Sequence, residues 1–244
     1  MDNVVVTGAS RGLGLAIAER LAREGFRVVA VARRDGEALA ATKGKLAERG
    51  AEALEFRPLD LSDVAAIRTF VRELRRQFGP IYGLVNNAGL GTAGILANMP
   101  DAEIEALIRL NTLSSILMSK YVVRGMMSEG RGRVINVGSI VAFTGFNALS
   151  VYAATKASLV GFTKSLAREV GRVGVNVNAI APGFIDTEMT SGLEGSERER
   201  VIGRSALRRL AAPEDVAAMA SLLMGEGGRN ITGAVMTVDA GGTA

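Results

Sequence analysis

Val4–Arg23 reads VVVTGASRGLGLAIAERLAR, and its character changes twice. Val4–Thr7 is a short apolar strand. Gly8 to Gly14 is a glycine-rich turn, and from Leu13 to Arg23 apolar residues recur at helical spacing. In a strand, glycine turn and helix in that order, backbone N–H groups at the helix start are placed to hold a pyrophosphate. Gly8 permits the tight turn, Gly12 allows close approach of phosphates, and Gly14 lets the helix pack on the strand. The same pattern without a ligand is only a tight strand-to-helix connection, so the rest of the chain has to decide.

Outward from that stretch, strands and helices alternate. Val28–Ala32 is a second strand, ending in Ala32-Arg33-Arg34. In a dinucleotide fold this strand end meets the adenosine ribose, where an acid favours NAD and an Arg suits the 2′-phosphate of NADP. Ala32 stands where the acid would be, and Arg11 and Arg33 form a candidate two-Arg phosphate site. Arg34 reads as a solvated side chain, and Asp35 is near enough to keep NAD(H) as the alternative to NADP(H). Glu37–Arg49 is helical, Glu52–Arg57 a strand, and Ser62 an expected N-cap for a helix reaching Phe78. Asp60, at a strand's carboxyl end, is placed either to accept a hydrogen bond from an adenine amino group or to stabilise its own turn. Ile81–Asn86 is a fourth strand running into Asn86-Asn87-Ala88-Gly89, which suits backbone contacts to a ribose or a clamp between strands. A long helix from Asp101 to about Ser128 carries Asn111, either a satisfied core amide or the holder of a water. Arg133–Val137, Gly174–Ala179 and Ala234–Val238 are further strands, and Pro213–Met224 is a capped helix. Residues 187–212 are polar and poorly periodic, as a substrate lid would be. No linker, repeat or low-complexity tract interrupts the chain. The pattern predicts an α/β fold with one doubly wound parallel sheet in a single domain over residues 1–244.

The chemistry lies in Gly138–Lys156, GSIVAFTGFNALSVYAATK. Ser139 follows the apolar run Arg133–Val137. Tyr152 and Lys156 lie on the predicted helix Ser150–Val170, one turn apart on the same face. An unperturbed phenol has a pKa of about 10. An ammonium one turn away favours the phenolate and is expected to bring that value down. Ser139 is then placed to hydrogen-bond a carbonyl or alcohol oxygen while Tyr152 passes it a proton. The plain alternative is a Tyr packed on a core helix beside a solvated Lys.

Composition narrows the choice. The 244-residue chain has no Cys and no His. That removes disulfides, thiolate chemistry, the Ser-His-Asp triad and nearly every zinc site. Acid–base work near pH 7 must then fall to Tyr, Lys, Asp or Glu, and no metal site is expected. A net charge of +4 and a pI near 9.7 raise the question of nucleic acid. Basic residues are scattered among acids without an aromatic-interleaved tract, so no nucleic-acid partner is expected. The chain begins directly with a strand, and no apolar run approaches the ~20 residues that span a bilayer. A soluble cytoplasmic protein is the expectation.

Taken together, TGASRGLG at 7–14, Asp60, NNAG at 86–89, Asn111, Ser139, YAATK at 152–156 and PG…T at 182–187 resemble a short-chain dehydrogenase/reductase. The likeness covers nearly the whole chain. It implies a Rossmann fold whose seven parallel strands run 3-2-1-4-5-6-7, with helices on both faces. It also implies a catalytic tetrad. Tyr152 would be the proton donor, and Ser139 would orient the substrate oxygen. Lys156 would bind the nicotinamide ribose and lower the Tyr152 pKa, and Asn111 would support a relay water. Cofactor contacts implied with them are Gly8, Ser10, Arg11, Gly12, Leu13, Gly14, Arg33, Asp60, Leu61, Asn87, Ala88, Gly89, Pro182, Gly183, Ile185 and Thr187. Ile185 and Thr187 would meet the nicotinamide carboxamide. Within the family, GFTKSLAREVGRVGVNVNAIAPGFIDTEMT at 161–190 is similar to the β-ketoacyl-acyl carrier protein reductases, enzymes of fatty acid biosynthesis. That similarity implies a homotetramer and an acidic acyl carrier protein as partner, with Arg131 and Arg172 as its candidate contacts.

Three functions follow for testing. The first is NADPH-dependent reduction of a β-ketoacyl thioester. The second is the same chemistry on another small carbonyl or alcohol, such as a sugar, polyol, steroid or hydroxy acid. The third is a non-catalytic NADP-binding scaffold. Ile95, Leu96, Val141, Phe143, Phe146 and Leu149 make the expected substrate cavity apolar, which favours an acyl chain.

Overall fold

Val4, Val5 and Val6 are each no more than 1% exposed, although successive side chains point to opposite faces. A strand buried on both faces needs helices on both, which is the condition for a parallel sheet with crossover helices. The computed structural model describes residues 1–48, 53–185 and 195–244, without the side chains of Ser196 and Glu197. The helix end at Arg49, the strand start at Glu52 and residues 186–194, Thr187 included, lie outside the described residues.

In chain order the elements are β1 (Asn3–Thr7), α1 (Gly12–Arg23), β2 (Arg27–Ala32), α2 (Glu37–Ala47), β3 (Leu54–Pro58), α3 (Ile67–Phe78) and β4 (Ile81–Asn86). There follow α4 (Asp101–Leu107), α5 (Ser114–Glu129), β5 (Gly132–Val137), α6 (Ser150–Val170), β6 (Val175–Pro182), α7 (Gly195–Arg204), α8 (Pro213–Met224) and β7 (Val235–Val238). The strands form one sheet in the order β3-β2-β1-β4-β5-β6-β7, every neighbouring pair parallel. The predicted order is therefore the observed one.

Two apolar cores hold the layers together. On one face Val4, Val6 and Val28 pack with Leu15, Ile17 and Leu21 of α1 and with Val216 and Leu223 of α8. On the other, Val5, Val29 and Leu84 pack with Ile67, Phe70 and Leu74 of α3 and with Met118, Val122 and Met126 of α5. A fully buried side chain of this size contributes about 1.5–3 kcal/mol. Because all strands run one way, their carboxyl ends share one edge. Chain order reverses between β1 and β4, and the crevice that opens there is where ligands of such sheets bind.

Three local expectations are corrected. Ser62 does not cap a helix: its N–H and hydroxyl both donate to Asp60 Oδ1, at 2.9 and 2.6 Å, and α3 begins only at Ile67. The long helix carrying Asn111 is broken by a π-turn over Ile108–Leu113. Part of the expected lid is regular, since Gly195–Arg204 is helical.

Candidate active site

The turn between β1 and α1 is shaped by close approach. Gly8 has φ +68° and Gly12 φ +55°, a region that an L side chain rarely adopts. A Cβ on Gly14 would overlap the Gly8 carbonyl oxygen and Asn87 Nδ2. Around Gly12, by contrast, a Cβ would meet nothing within 4 Å. Space is thus open around Gly12 at the helix start, and these residues fit a pyrophosphate-bearing cofactor. Arg11 and Arg33 are both exposed beside this turn.

Across the crevice the NNAG stretch is a clamp. Thr7 Oγ1 accepts the backbone N–H groups of Asn87 and Ala88, both at 3.0 Å. Asn87 Nδ2 donates to the carbonyls of Thr7 and Gly8, at 2.9 and 3.2 Å. Asn86 donates to Ser119 Oγ and Asn136 Oδ1, and Asn136 to Thr163 Oγ1, joining β4, β5, α5 and α6 through buried polar groups. Of the two roles open to this stretch, its side chains and the N–H groups of Asn87 and Ala88 take the structural one.

Ser139 follows β5 with extended backbone, and its hydroxyl accepts from Val141 N–H at 3.3 Å. Tyr152 and Lys156 stand one turn apart on α6, with the ammonium 5.7 Å from the ring centre. Lys156 is 5% exposed and donates to the Val137 carbonyl at 2.9 Å. Loss of water around it brings its pKa from 10.5 down to about 8. The expectation that Lys156 lowers the Tyr152 pKa is corrected in the protein alone. Burial pushes the phenol's pKa up, and the pull downward comes from its hydrogen bond with Ser139. The ammonium lies 5.7 Å from the ring centre, and no effect of its charge on the phenol is among the causes of that shift.

Asn111 sits in the π-turn, 1% exposed, with its side chain fully engaged. Oδ1 accepts from Leu90 N–H at 2.8 Å, while Nδ2 donates to the Leu90 carbonyl at 2.9 Å and to Thr155 Oγ1 at 3.1 Å. Gly89 lies over the same spot: a Cβ there would be 3.2 Å from Asn111 Oδ1 and 3.5 Å from Lys156 Nζ. Thr155 carried no signal in the sequence beyond a hydroxyl next to Lys156.

The mouth is lined by the segments after β4 and β5, tied by Gly94 N–H to the Ala148 carbonyl at 2.8 Å. Leu90, Ile95, Leu96 and Phe143 are exposed there, and Phe146 meets Phe184 edge-on at 5.8 Å. After β6, Gly183 N–H donates to the Val238 carbonyl, and Ile185 pairs with Ala211. After α7, Ser205 Oγ and Leu207 N–H both donate to the Ala240 carbonyl, at 2.6 and 3.0 Å. The Asp239 carboxylate fixes this turn by accepting from Gly241 N–H, Thr243 N–H and Thr243 Oγ1.

The fold thus brings Gly8, Ser10, Gly12, Leu13, Gly14, Arg33, Asp60, Asn87–Gly89, Ser139, Pro182 and Gly183 to one edge of the sheet. Asp60 is engaged in its own turn, and Ser62, ahead of Arg33, holds its carboxyl below the usual carboxylate range. Leu61 and Ile185 are buried, at 5% and 6% exposure, which leaves only their backbone for a ligand. Arg131 is not at this edge. It precedes β5, forms an ion pair with Asp2 and stacks 5.0 Å over Tyr82. Among the described residues no helix is long and apolar enough to cross a membrane, and no cluster of acidic side chains has metal-binding geometry.

Comparison with known proteins agrees with this architecture. The short chain dehydrogenase family model matches residues 2–198. The 3-oxoacyl-[acyl-carrier-protein] reductase FabG of Vibrio harveyi is 40% identical over 237 residues, and that of Escherichia coli (strain K12) is 38% identical. Each alignment covers 97% of this chain and 95% of the relative. Among solved structures, a putative gluconate dehydrogenase from Agrobacterium tumefaciens superposes with a TM-score of 0.94 at 26% identity, covering 100% of this chain and 96% of its own. A gluconate 5-dehydrogenase from Burkholderia cenocepacia J2315, in complex with NADP and tartrate, does so with 0.92 at 27%, covering 99% and 95%. The family model over most of the chain and relatives at 38–40% identity show that this chain belongs to the short chain dehydrogenase family and is an oxidoreductase of CH–OH and C=O groups.

Proposed function

We propose that this protein reduces a β-ketoacyl thioester to the 3-hydroxyacyl thioester with NADPH. The observation that carries the reading is a partly buried phenol, Tyr152, kept protonated beside Ser139 under an apolar mouth. A proton donor must hold its proton until the ketone oxygen takes it, and burial keeps this phenol in its acid form. Bound NADPH supplies the hydride to the ketone carbon. Tyr152 gives its proton to the ketone oxygen, which Ser139 orients. Lys156 holds the nicotinamide ribose, and Asn111, its side chain spent on Leu90 and Thr155, keeps the chain after Gly89 in place beside it. Arg11 and Arg33 hold the 2′-phosphate. Ala32 rather than an acid at the end of β2, and the NADP in a solved relative, support that cofactor. The thioester substrate is supported by the apolar mouth and by the reductases at 38–40% identity.

The test is the initial rate of NADPH oxidation with acetoacetyl-CoA, repeated with NADH and with Tyr152→Phe. Fast turnover with NADPH, lost in the variant, is expected. No turnover with the thioester, but oxidation of a sugar acid by NADP, would move the function to the second reading, which the gluconate dehydrogenase neighbours favour. Docking of an acidic carrier protein at Arg131 and Arg172 belongs to the same proposal. Unchanged kinetics with an acyl carrier substrate after Arg131→Ala plus Arg172→Ala would remove it. A homotetramer is proposed as well, supported by exposed Ile108 and Leu113 on the π-turn, and light scattering reads it directly.

A further inference from the structure

Thr155 precedes Lys156 on α6 and is 2% exposed. Its hydroxyl has one proton, donated to the Tyr152 carbonyl at 2.7 Å. With that proton committed, the oxygen offers Asn111 only an acceptor, and Asn111 Nδ2 takes it at 3.1 Å. The carboxamide must therefore turn its NH2 towards α6 and its oxygen towards Leu90 N–H, which it meets at 2.8 Å. Inverted, it would set NH2 against Leu90 N–H and oxygen against a hydroxyl with no proton to give. A second tie spans the same π-turn, from Thr112 Oγ1 to Ser158 Oγ at 2.9 Å.

We propose that Thr155 is a positioning residue: its hydroxyl fixes the direction of the Asn111 carboxamide and so holds the chain after Gly89 against Lys156. The kinetic consequence rests on the reductase reading; the structural one does not. Losing one buried hydrogen bond and the orientation it sets corresponds to about a tenfold loss of rate.

The experiment compares Thr155→Val, which keeps shape and loses the hydroxyl, with Thr155→Ser, which keeps the hydroxyl. In the full chain, Thr155→Val is expected to lower kcat about tenfold with the carbonyl KM within about twofold, and Thr155→Ser to restore most of it. Hydrogen exchange at the Leu90 amide should quicken in Thr155→Val and stay slow in Thr155→Ser. That readout needs no substrate, so it decides the role of Thr155 even if wild type reduces no thioester. Wild-type kcat in Thr155→Val would overturn the kinetic consequence, and unchanged exchange at the Leu90 amide in that variant would overturn the proposal. So would a Thr155→Ser protein as impaired as Thr155→Val, since packing of the methyl would then be what matters. If Thr155→Val does not fold, Thr155→Ala against Thr155→Ser isolates the hydroxyl alone.

Discussion

On the β1 side of the crevice, shape is set by atoms that are missing. Gly8 and Gly14 give a turn that no side chain could share, and space opens around Gly12 at the start of α1. On the β5 side, shape is set by polar atoms that are present and held, from Asn86 and Asn136 to Asn111, Thr155 and a buried ammonium. The first side is a mould for a charged ligand and costs the protein only backbone entropy. The second carries desolvated groups that favour chemistry over stability. Variants on the two sides should therefore fail in different ways.

The largest effect is expected on the β5 side. Tyr152→Phe should lower kcat about a thousandfold, within the range of general acid catalysis, while NADPH affinity by fluorescence titration stays within about twofold. Equal losses in both would mean that the two sides are not separable. Next come two glycines of the same turn. Gly14→Ala drives a methyl into the Gly8 carbonyl and Asn87, and should cost several kcal/mol, at least as much as overpacking a core. Gly12→Ala meets no neighbour within 4 Å and should cost only about 1–2 kcal/mol of backbone strain. It should nevertheless lose NADPH about tenfold, because its methyl points into the ligand space. Thermal melts with and without NADPH separate the two.

Replacing Arg11 and Arg33 by Ala should reduce the preference for NADPH over NADH about 10- to 100-fold in kcat/KM and leave the Tyr152 chemistry intact. The smallest effect concerns stability at Lys156. Its folded pKa, about 8, lies below its unfolded value of 10.5. Between those pH values the unfolded chain holds the proton and the folded chain does not, so this group makes stability rise with pH across that window. Lys156→Met should remove that rise and stabilise the free protein at pH 7 by about 1–3 kcal/mol, although turnover is lost. Denaturant titrations of both proteins at pH 7 and pH 10 check the sign.

The β1 side was legible in the sequence because a glycine turn between a strand and a helix is a local pattern, and so was the strand order once the family motifs were joined. Ser139, Tyr152 and Lys156 were legible for the same reason: a strand end and an i, i+4 pair. Asn111 was found but its setting was not. A π-turn depends on partners at Leu90 and Thr155 that are distant in sequence. The Tyr152 pKa was misjudged because a charge one turn away shows in the sequence whereas burial does not. Ser62 misled because Asp60, two residues earlier, captures both its N–H and its hydroxyl. The helix Gly195–Arg204 was missed because only Val201 and Ile202 interrupt its polar run, too few to show a period.

The Asp239 turn has one more consequence. It grips the chain after β6 through Gly183 and Val238, and the chain after α7 through Ala240, so both ends of the intervening segment are fastened to one point. A change that loosens the Asp239 turn is therefore felt at Gly183 and at Ser205 together, although the two are far apart along the chain.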